Sequence, residues 1–353
     1  MRYLHYIVII MGMLFFSCTA DKNGIPIIYL DDNIKDTAAV LLQESVNFDV
    51  PISTADLYIW NDSIAIVRNK VVSDTWFLEL YDLRDNRLLR HFFRHGNGPG
   101  EMLEINFIFN NDTIVIEDFQ KDNIAVIPVN KAVYDDDFEP DIRPMSIWSQ
   151  YKLPFKGRLL ALNPYCFINK EYSINNDGPR FIVSDSNYVY KETESYKYQT
   201  YNVSYSSFFI SFANDRIVYV CKKEPVLELY DTNLNPIKQI FGPEMQSRPK
   251  YMIEENGNVC FLNTIPYAYS SFCYNDNFFY VCYNGNFLSY KNDFDTSVLK
   301  SWIFKFDWDG NFIDSYYIDH YVKSMSLSND GRYIYAFGTD REGENVFYKY
   351  LLR

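Results

Sequence analysis

The chain has 353 residues, of which 48% are hydrophobic and 18% aromatic, and its formal net charge is −13 at pH 7. That charge argues against binding to nucleic acid, and against attraction to an anionic membrane by charge alone, because both surfaces are themselves negative. A chain of this length is also large for one hydrophobic core, which favours a fold built from several smaller cores.

The first 17 residues predict a targeting segment. An apolar run of 11 residues extends from Tyr6 to Phe16, which is too short to span a bilayer but has the length of a signal-peptide core. Ser17, a small residue, and Cys18 end the run directly, as at the cleavage site of bacterial lipoproteins. We therefore predict that residues 1–17 are a lipoprotein signal peptide and that Cys18 carries lipid that anchors the protein in a membrane. An ordinary secretory signal with an incidental cysteine is the alternative.

Residues 18–45 are interpreted as a tether followed by an early strand. The segment begins with polar residues, continues with the apolar stretch Ile25–Leu30 and then becomes acidic. The folded domain is assigned to residues 46–353.

In that domain, a turn followed by an apolar strand recurs about every 50 residues, and one interval of about twice that length is interpreted as holding a degenerate copy near Asn169-Lys170. Asn and Asp tolerate the positive φ that a two-residue hairpin turn requires. The run after each turn is rich in β-branched and aromatic residues, which is typical of a buried strand. The turns are the Asn-Asp pairs that begin at Asn61, Asn111, Asn214, Asn275 and Asn329.

A second hairpin pattern reads aromatic residue, Asp, three variable residues, Asn, one variable residue, then Leu or Ile. Its copies begin at Tyr81, Tyr230 and Phe306. Two hairpins per period mean four strands per unit, and six units fit the chain, at roughly 53–95, 102–145, 150–190, 205–243, 255–316 and 320–353. We therefore predict an all-β fold, a six-bladed β-propeller with four-stranded antiparallel blades. A β-sandwich with coincidental turns is the alternative.

The last unit ends one strand short, at Arg353. Propellers usually close by pairing a strand from one end of the chain with the blade at the other end. Either Ile27–Leu30 or Val46–Val50 is predicted to supply that strand.

A glycine-rich connector, Arg94-His95-Gly96-Asn97-Gly98-Pro99-Gly100-Glu101, follows the first unit. We expect it to lead from the outer strand of one unit to the inner strand of the next, with Gly98 and Gly100 supplying positive φ and Pro99 stiffening the path. Glu101 is placed to accept backbone N–H groups or to pair with Arg94. A structural role is favoured over a ligand site, and a phosphate loop is excluded because no Lys-Ser/Thr pair follows.

The lipoprotein-type start, the six four-stranded units and this connector together resemble the six-bladed, TolB-like propeller lipoproteins of Bacteroidetes. The resemblance covers nearly the whole mature chain. Weaker matches to the connector sequence occur at Asp177–Arg180 and Phe241–Glu244. It implies a lipid-anchored location in the cell envelope, at the outer membrane, with the periplasmic or surface side left open. The family is mostly uncharacterised, so the resemblance implies no activity and no catalytic residues.

Histidines are few in this chain. His91 and His95 flank the connector, where they either face a ligand at the channel mouth or lie at the surface. A dense tyrosine run that includes Tyr196, Tyr198 and Tyr201 suits sugar or peptide binding, or alternatively packing between blades.

Two acidic stretches, Asp135–Asp141 and Asp307–Asn311, contain oxygen ligands of the kind that calcium prefers. The first lacks the spaced ligands and central glycine of a calcium loop, and the second occupies a repeated turn. We therefore predict solvated loops at both places, with no metal and no cofactor.

Five cysteines follow Cys18, so at least one is predicted to stay free or to pair between molecules. Cys273 and Cys282 flank one hairpin and are not expected to lie opposite one another. We expect few or no disulfides, and mostly buried thiols that pack as small apolar residues.

Three triplets of Asp, then Ser or Thr, then an apolar residue contain Thr37, Ser63 and Thr113. They are similar to the acceptor pattern for O-linked glycans on exported Bacteroidetes proteins, which makes these hydroxyls predicted glycosylation sites. The last two also belong to hairpin turns, where such residues are favoured anyway.

The sequence favours a cell-envelope module that binds or scaffolds protein, peptide or glycan over an enzyme, because no catalytic constellation is visible. A metal-dependent propeller enzyme of the lyase or lactonase type is the alternative, and it requires carboxylates and histidines that converge from different blades. The ligand, the side of the membrane and the oligomeric state stay open.

Overall fold

The computed structural model describes residues 16–20, 24–70, 76–110, 112–118, 120–121, 123–144, 159–163, 166–170, 181–184, 190–192, 208–222, 224–233, 235–244, 251–253, 259–261, 264–289 and 300–352. The contacts divide the chain into two compact units. The first unit comprises residues 1–40 and 155–321, and the second comprises residues 41–154 and 322–353. No helix within the described residues is long and apolar enough to cross a membrane.

The second unit contains two complete four-stranded antiparallel sheets. Sheet 1 consists of β5 (Thr54–Trp60), β6 (Ile64–Asn69), β7 (Trp76–Asp82) and β8 (Arg87–Arg94). Sheet 2 consists of β9 (Ile105–Asn110), β10 (Thr113–Asp118), β11 (Asn123–Pro128) and β12 (Ile142–Pro144). The middle strands β6 and β10 are buried on both faces, which explains why their sequences read as continuous apolar runs rather than alternating ones.

A short helix, α1 (Val129–Tyr134), interrupts the otherwise all-β chain between β11 and β12. Val129 and Ala132 are three residues apart, lie on one face of the helix and are buried in the core that sheets 1 and 2 share. This helix was not predicted from the sequence.

Sheet 6, also in the second unit, is completed by a strand from the N-terminal segment. Its strands are β27 (Tyr321–Leu327), β28 (Tyr333–Thr339), β29 (Asn345–Leu351) and β4 (Leu42–Ser45). β4 is antiparallel to β29, with Leu42 opposite Leu351 and Ser45 opposite Tyr348. Closure by an N-terminal strand is thus confirmed, but both predicted segments were wrong. The closing strand lies between them, because an edge strand needs backbone pairing rather than an apolar pattern.

Two serines tie the first strand of sheet 6 to the first strand of sheet 1. The Ser324 hydroxyl accepts a hydrogen bond from the Leu57 N–H at 3.0 Å and donates one to the Leu57 carbonyl at 2.8 Å. The Ser326 hydroxyl accepts from the Ile59 N–H at 2.8 Å. All of these groups are buried, so the serines satisfy backbone N–H and C=O groups of β5 that are shielded from water.

The first unit contains sheets 3, 4 and 5. Sheet 3 consists of β13 (Leu159–Asn163), β14 (Cys166–Lys170), β15 (Phe181–Ser184) and β16 (Tyr190–Glu192). Sheet 4 contains β17 (Phe208–Ala213), β18 (Arg216–Cys221), β19 (Val226–Asp231) and β20 (Pro236–Phe241). Sheet 5 contains β23 (Thr264–Tyr274), β24 (Phe278–Ser289), β25 (Ser301–Asp307) and β26 (Phe312–Ile318). A separate pair, β21 (Tyr251–Ile253) and β22 (Val259–Phe261), lies between sheets 4 and 5 in the chain.

The N-terminal segment adds further strands to sheets 4 and 5. β2 (Pro26–Leu30) pairs in parallel with β20, and β3 (Ala39–Val40) pairs in parallel with β26. Between them, a 3₁₀ turn at Asp32–Lys35 buries Ile34 in the core of the unit, and the Ser315 hydroxyl donates a hydrogen bond to the Ile34 carbonyl at 3.0 Å. We call residues 26–40 the strap. β1 (Phe16–Ala20) pairs with β2 and places Cys18 opposite Ile28.

The Asn-Asp turns occupy equivalent places, each between the first and second strands of its sheet. Asn61-Asp62 and Asn214-Asp215 have the predicted two-residue form, with φ between 49° and 56°. The other two described turns have a different form. In one, the Asn275 side chain accepts the N–H groups of Asn277 and Phe278, and in the other Gly331 carries the positive φ. Asn111 lies outside the described residues. The prediction of a degenerate turn near Asn169-Lys170 was wrong, because both residues belong to β14.

The second hairpin pattern joins the third and fourth strands of sheets 1, 4 and 5. In sheet 4, one Asp231 oxygen accepts the N–H groups of Asn233 and Asn235 at 2.8 Å, and the other accepts from the Asn235 side chain at 2.7 Å. Asp307 makes the same set of bonds in sheet 5. The Asp and Asn of the pattern therefore recur because the Asp carboxylate accepts hydrogen bonds from the backbone of the turn and from the Asn side chain.

In sheet 1, the corresponding Asp82 is buried and binds Arg84 instead, with oxygen–nitrogen distances of 2.5 and 2.9 Å. Hydrogen bonds from the Arg84 side chain and backbone lower the pKa of the Asp82 carboxyl from 3.8 to about 2. Because the folded pKa is lowered, the ionised carboxylate stabilises the fold at neutral pH. That stabilisation is lost as the pH falls from about 4 to about 2.

We expect Asp82→Asn to lower the free energy of unfolding at pH 7, and the difference from the natural protein to shrink as the pH falls toward 2. Urea unfolding at pH values between 7 and 3 measures this difference in the free energy of unfolding. Asp85→Asn is the control, because the ion pair between Asp85 and Arg87 on the same hairpin is exposed and contributes little. A difference that does not change with pH would contradict the assignment.

The described thiols of Cys221, Cys273 and Cys282 are buried and belong to no disulfide, in agreement with the prediction of buried cysteines. Cys273 lies opposite Tyr280 and Cys282 opposite Ser271, so the two thiols do not face each other across the hairpin. Burial raises the pKa of the Cys282 thiol to about 12 and raises that of Cys273 as well. Both thiols therefore stay protonated and unreactive near neutral pH.

Candidate functional site

The connector leads from β8, the fourth strand of sheet 1, to β9, the first strand of sheet 2, as predicted. Gly100 has a φ of 76°, also as predicted, but Gly98 is not among the residues with positive φ. A side chain at position 98 would instead displace the Glu101 carboxylate. The Gly98 N–H donates a hydrogen bond of 2.7 Å to the Glu101 carboxylate, and a Cβ on Gly98 would lie 2.9 Å from the same oxygen. Glu101 thus accepts a backbone N–H group, one of its two predicted roles.

Two side chains, one from β10 and one from the turn between β10 and β11, hold the connector in place. The Lys121 ammonium donates to the carbonyls of Gly98 at 2.9 Å and Glu101 at 2.7 Å. The buried Asp118 carboxylate accepts the backbone N–H groups of Leu103 at 2.7 Å and Lys121 at 3.2 Å. The connector is therefore a fixed element, and one edge of a neighbouring cavity is fixed with it.

A surface cavity of about 490 Å³ lies along β8 in the second unit. Six consecutive residues of β8 form one wall, a stretch preceding and entering β12 forms the opposite wall, and Trp76 and Gly100 complete the boundary. The lining residues are Trp76, Leu88, Leu89, Arg90, His91, Phe92, Phe93, Gly100, Glu139, Pro140 and Ile142. Aromatic and aliphatic side chains therefore line the cavity together with a few charged ones, a composition that ligand pockets also have.

Arg90 sets the distance between the two walls. Its guanidinium donates to the backbone carbonyls of Asp135 at 3.1 Å, Asp136 at 3.0 Å and Phe138 at 2.6 Å. It also lies 5.4 Å above the ring of Phe92, where a cation and an aromatic face attract each other. One arginine therefore fixes the acidic loop against β8, and the cavity is preformed.

His91 and Trp76 form a stacked pair at the cavity, with ring centroids 3.8 Å apart. His91 is exposed and lies on the outermost strand of sheet 1, opposite Glu79. His95 follows β8 and contacts the ring of Phe77 edge-on at 5.7 Å. The structure thus brings one of the two predicted histidines to the cavity wall.

The backbone of Phe93 is strained. Its φ of 59° lies in the left-handed region, which a bulky residue rarely adopts, and its side chain is buried at the end of the cavity. Strain of this kind costs about 1–3 kcal/mol and persists where the surrounding structure imposes it, often at ligand sites.

A second cluster of polar side chains lies in the first unit at Phe241–Glu244, the segment that matches the connector sequence more weakly. The Glu244 carboxylate forms an ion pair with Lys35 of the strap and accepts a hydrogen bond of 2.7 Å from the Tyr283 hydroxyl. The Glu244 N–H donates to the Asp32 carboxylate at 2.6 Å. Burial, and secondly the Glu244 charge, raise the pKa of Tyr283, which therefore stays a hydrogen-bond donor. This segment holds the strap.

The remaining predicted sites are not brought together. Tyr196, Tyr198 and Tyr201 lie outside the described residues. Thr37 is exposed, and its hydroxyl donates to the Ile34 carbonyl at 3.2 Å. Ser63 and Thr113 are half-buried. All three hydroxyls stay predictions as glycosylation sites, as does Cys18 as the lipidation site.

The acidic stretches are used within the fold. Three carbonyls of the Asp135–Asp141 loop bind Arg90, and the Asp307 carboxylate closes its own turn. Among the described residues, no group of three or more His, Cys, Asp or Glu side chains stands close enough to hold a metal ion.

Successive four-stranded antiparallel sheets, the last completed by an N-terminal strand, define a β-propeller. The family model described as TolB-like 6-blade propeller-like matches residues 33–330, and the chain belongs to this family. The predicted fold is thereby confirmed.

Two solved structures from Bacteroides share the fold. One is a protein of Bacteroides fragilis NCTC 9343 assigned as exported, which is 13% identical over 93% of this chain and 100% of that chain, with a TM-score of 0.53. The other is a member of the DUF4221 family from Bacteroides vulgatus, 10% identical over 90% of this chain and 98% of that chain, with a TM-score of 0.55. None of the curated proteins matches the sequence.

Proposed function

We propose that the protein is a binding module of the bacterial cell envelope, that lipid on Cys18 anchors it in the outer membrane, and that its ligand site is the cavity along β8. The observation that carries the binding site is the preformed cavity, whose walls Arg90 and the connector keep in fixed positions. A cavity that is rigid before the ligand arrives loses little conformational entropy on binding.

The proposed membrane location is supported by the N-terminal sequence, in which an 11-residue apolar run is followed directly by Ser17-Cys18. The fold shared with a Bacteroides protein assigned as exported is consistent with it. Only seven residues separate Cys18 from Pro26, the first residue of β2. A lipid on Cys18 would therefore hold sheet 4 within about 30 Å of the membrane surface, since an extended residue spans at most about 3.3–3.6 Å.

Cys18→Ser tests the anchor. We expect the natural protein to sediment with membranes and the variant to move to the soluble fraction, because a lipoprotein's acyl chains supply the binding energy. Metabolic labelling with radioactive palmitate should mark the natural protein only. A variant that sediments with membranes after its signal has been removed would contradict lipidation.

Arrays of glycans and of peptides test the binding site, with two matched variants. Leu88→Trp fills the cavity at a residue that is 42% exposed, whereas Val126→Trp places the same ring on β11, away from the cavity, at a residue that is 47% exposed. We expect ligands of the natural protein to bind Val126→Trp equally and Leu88→Trp at least tenfold more weakly. Ligands that bind all three proteins alike would place the site elsewhere.

A further inference from the structure

The sequence contains four Asn-Gly pairs, and such pairs are able to react with themselves. The backbone nitrogen of the glycine attacks the side-chain amide carbon of the asparagine, ammonia leaves, and a five-membered imide forms. Glycine favours the attack because it has no Cβ to hinder a close approach. Two of the pairs, at Asn97 and Asn284, lie in the part of the chain that the structure describes. The four pairs begin at Asn23, Asn97, Asn256 and Asn284.

The two described pairs differ in the freedom of the asparagine side chain. Asn97 belongs to the connector and is exposed. Exposed side chains change rotamer within nanoseconds, so the Asn97 amide carbon can rotate toward the nitrogen of the next residue. Asn284 is buried, and its side-chain oxygen accepts hydrogen bonds from the Ser301 hydroxyl at 2.8 Å and the Cys282 thiol at 3.5 Å. The fold therefore fixes the amide of Asn284 and leaves that of Asn97 able to rotate.

At Asn97, the nitrogen that would attack is bonded to a carboxylate. The Gly98 N–H donates to one Glu101 oxygen at 2.7 Å. A carboxylate in this position can take the proton as the nitrogen attacks, which is the arrangement of a general base. In the Asp-Gly turns of sheets 5 and 6, the N–H groups of Gly310 and Gly331 donate to backbone carbonyls at 2.9 Å instead. A carbonyl oxygen is too weak a base to take that proton.

Neighbouring groups keep the carboxylate on the nitrogen. The Lys121 ammonium binds the backbone carbonyls of Gly98 and Glu101, which fixes these two residues relative to each other. Glycines on both sides of Asn97 leave room for the carboxylate, since a Cβ on Gly96 or Gly98 would collide with the same Glu101 oxygen. The base and the nitrogen are thus held in place before the reaction begins.

We propose that Asn97 is a site of self-catalysed modification, with Glu101 as the general base. Glu101 takes the proton of the Gly98 N–H, and the Gly98 nitrogen forms a bond to the Asn97 side-chain carbon. The Asn97 amide nitrogen then leaves as ammonia, with the proton that Glu101 returns. Water opens the imide at either of its carbonyls, which gives aspartate or isoaspartate at position 97. This inference does not depend on the proposed binding function.

Either product changes the connector. A carboxylate at position 97 adds a negative charge beside Glu101, whose oxygen lies against the backbone on both sides of that position. Isoaspartate also lengthens the backbone by one methylene group, which strains the hydrogen bond of 2.9 Å from the Gly96 N–H to the Met102 carbonyl. Because Gly100 of the connector lines the cavity, the modification is expected to loosen that edge of the cavity as the protein ages.

Peptide mapping by mass spectrometry, on purified protein kept at pH 7 for several weeks, tests the inference. The imide is recognised by the loss of ammonia, and isoaspartate by methylation with an isoaspartyl methyltransferase. Each described pair is compared with a synthetic peptide that spans it. We expect Asn97 to react at least tenfold faster in the folded protein than in its peptide, because the fold holds the Glu101 carboxylate on the N–H. Asn284 is the internal control and should react more slowly in the protein than in its peptide.

Glu101→Gln separates the base from the hydrogen bond. Glutamine still offers an oxygen to the Gly98 N–H but cannot take its proton, so the reaction at Asn97 should slow at least tenfold. Glu104→Gln is the matched control and should leave the rate unchanged, because the Glu104 carboxylate is exposed and binds the Gln120 side chain.

Two results would overturn the inference. One is a reaction at Asn97 that is as fast in Glu101→Gln as in the natural protein. The other is a reaction that is slower in the folded natural protein than in the peptide, since Glu101 would then protect the N–H rather than activate it. The second comparison uses no variant, so it decides the question even where Glu101→Gln loosens the connector.

Discussion

A chain that begins at Val46 is expected to be largely unfolded, whereas one that begins at Gly24 is expected to keep nearly all its stability. Residues 26–45 supply β2, β3 and β4 and bury four aliphatic side chains, those of Ile27, Leu30, Ile34 and Leu41. Burying each contributes about 1.5–3 kcal/mol, and together they contribute about 6–12 kcal/mol. That is comparable with the whole stability of a typical domain, about 5–15 kcal/mol.

Urea unfolding followed by tryptophan fluorescence compares the two truncated chains. The chain that begins at Gly24 is the control, because it lacks the same leader and β1 but keeps the strap and the closing strand. We expect it to unfold in a cooperative transition, and the shorter chain to show none. Equal transitions in both chains would mean that the strap and β4 contribute little, which the pairing with β20, β26 and β29 argues against.

The hairpins could be predicted from sequence because their chemistry is local. Asn61-Asp62 and Asn214-Asp215 adopt positive φ with no help from distant residues, and the Asp231 carboxylate binds backbone groups within four positions of itself. Repetition of these local signals then gives the number of strands in each sheet.

The partners of the N-terminal strands could not be predicted in the same way. β3 has two residues, and all four side chains of β4 are exposed, so neither carries an apolar pattern. β3 is held by backbone pairing to a strand 277 positions later in the chain, and β4 to a strand 303 to 309 positions later. The short helix α1 was missed for a related reason, since six residues are too few for a helical period to stand out.

The candidate site was predicted in part. His91 was chosen for its residue type, and it lines the cavity, but the cavity itself depends on Arg90 binding three backbone carbonyls. Carbonyl acceptors carry no residue-type signature, so this contact is invisible in the sequence. One signal was available, namely the concentration of cations between Arg87 and Arg94 in a strongly acidic chain.

Gly242→Ala is expected to detach the strap from sheet 4 and to cost about 2–5 kcal/mol of unfolding free energy. Gly242 has a φ of 105°, which lies outside the left-handed region that a residue with a Cβ tolerates. The added Cβ would also lie 2.6 Å from the Leu30 carbonyl oxygen and 3.2 Å from the Leu30 Cβ. Those atoms belong to β2, so the strand itself has to move, and the buried contacts of Leu30 are weakened with it.

Gly100→Ala is the matched control for this prediction. Gly100 belongs to the related connector and has a φ of 76°, but a Cβ there would meet no atom within 4 Å. Backbone strain alone is expected to cost about 1–2 kcal/mol. Urea unfolding measures both losses, and hydrogen exchange locates them, with faster exchange of the β2 amides expected in Gly242→Ala only. Equal losses, or unchanged exchange in β2, would mean that the close approach of Gly242 to Leu30 does not hold the strap in place.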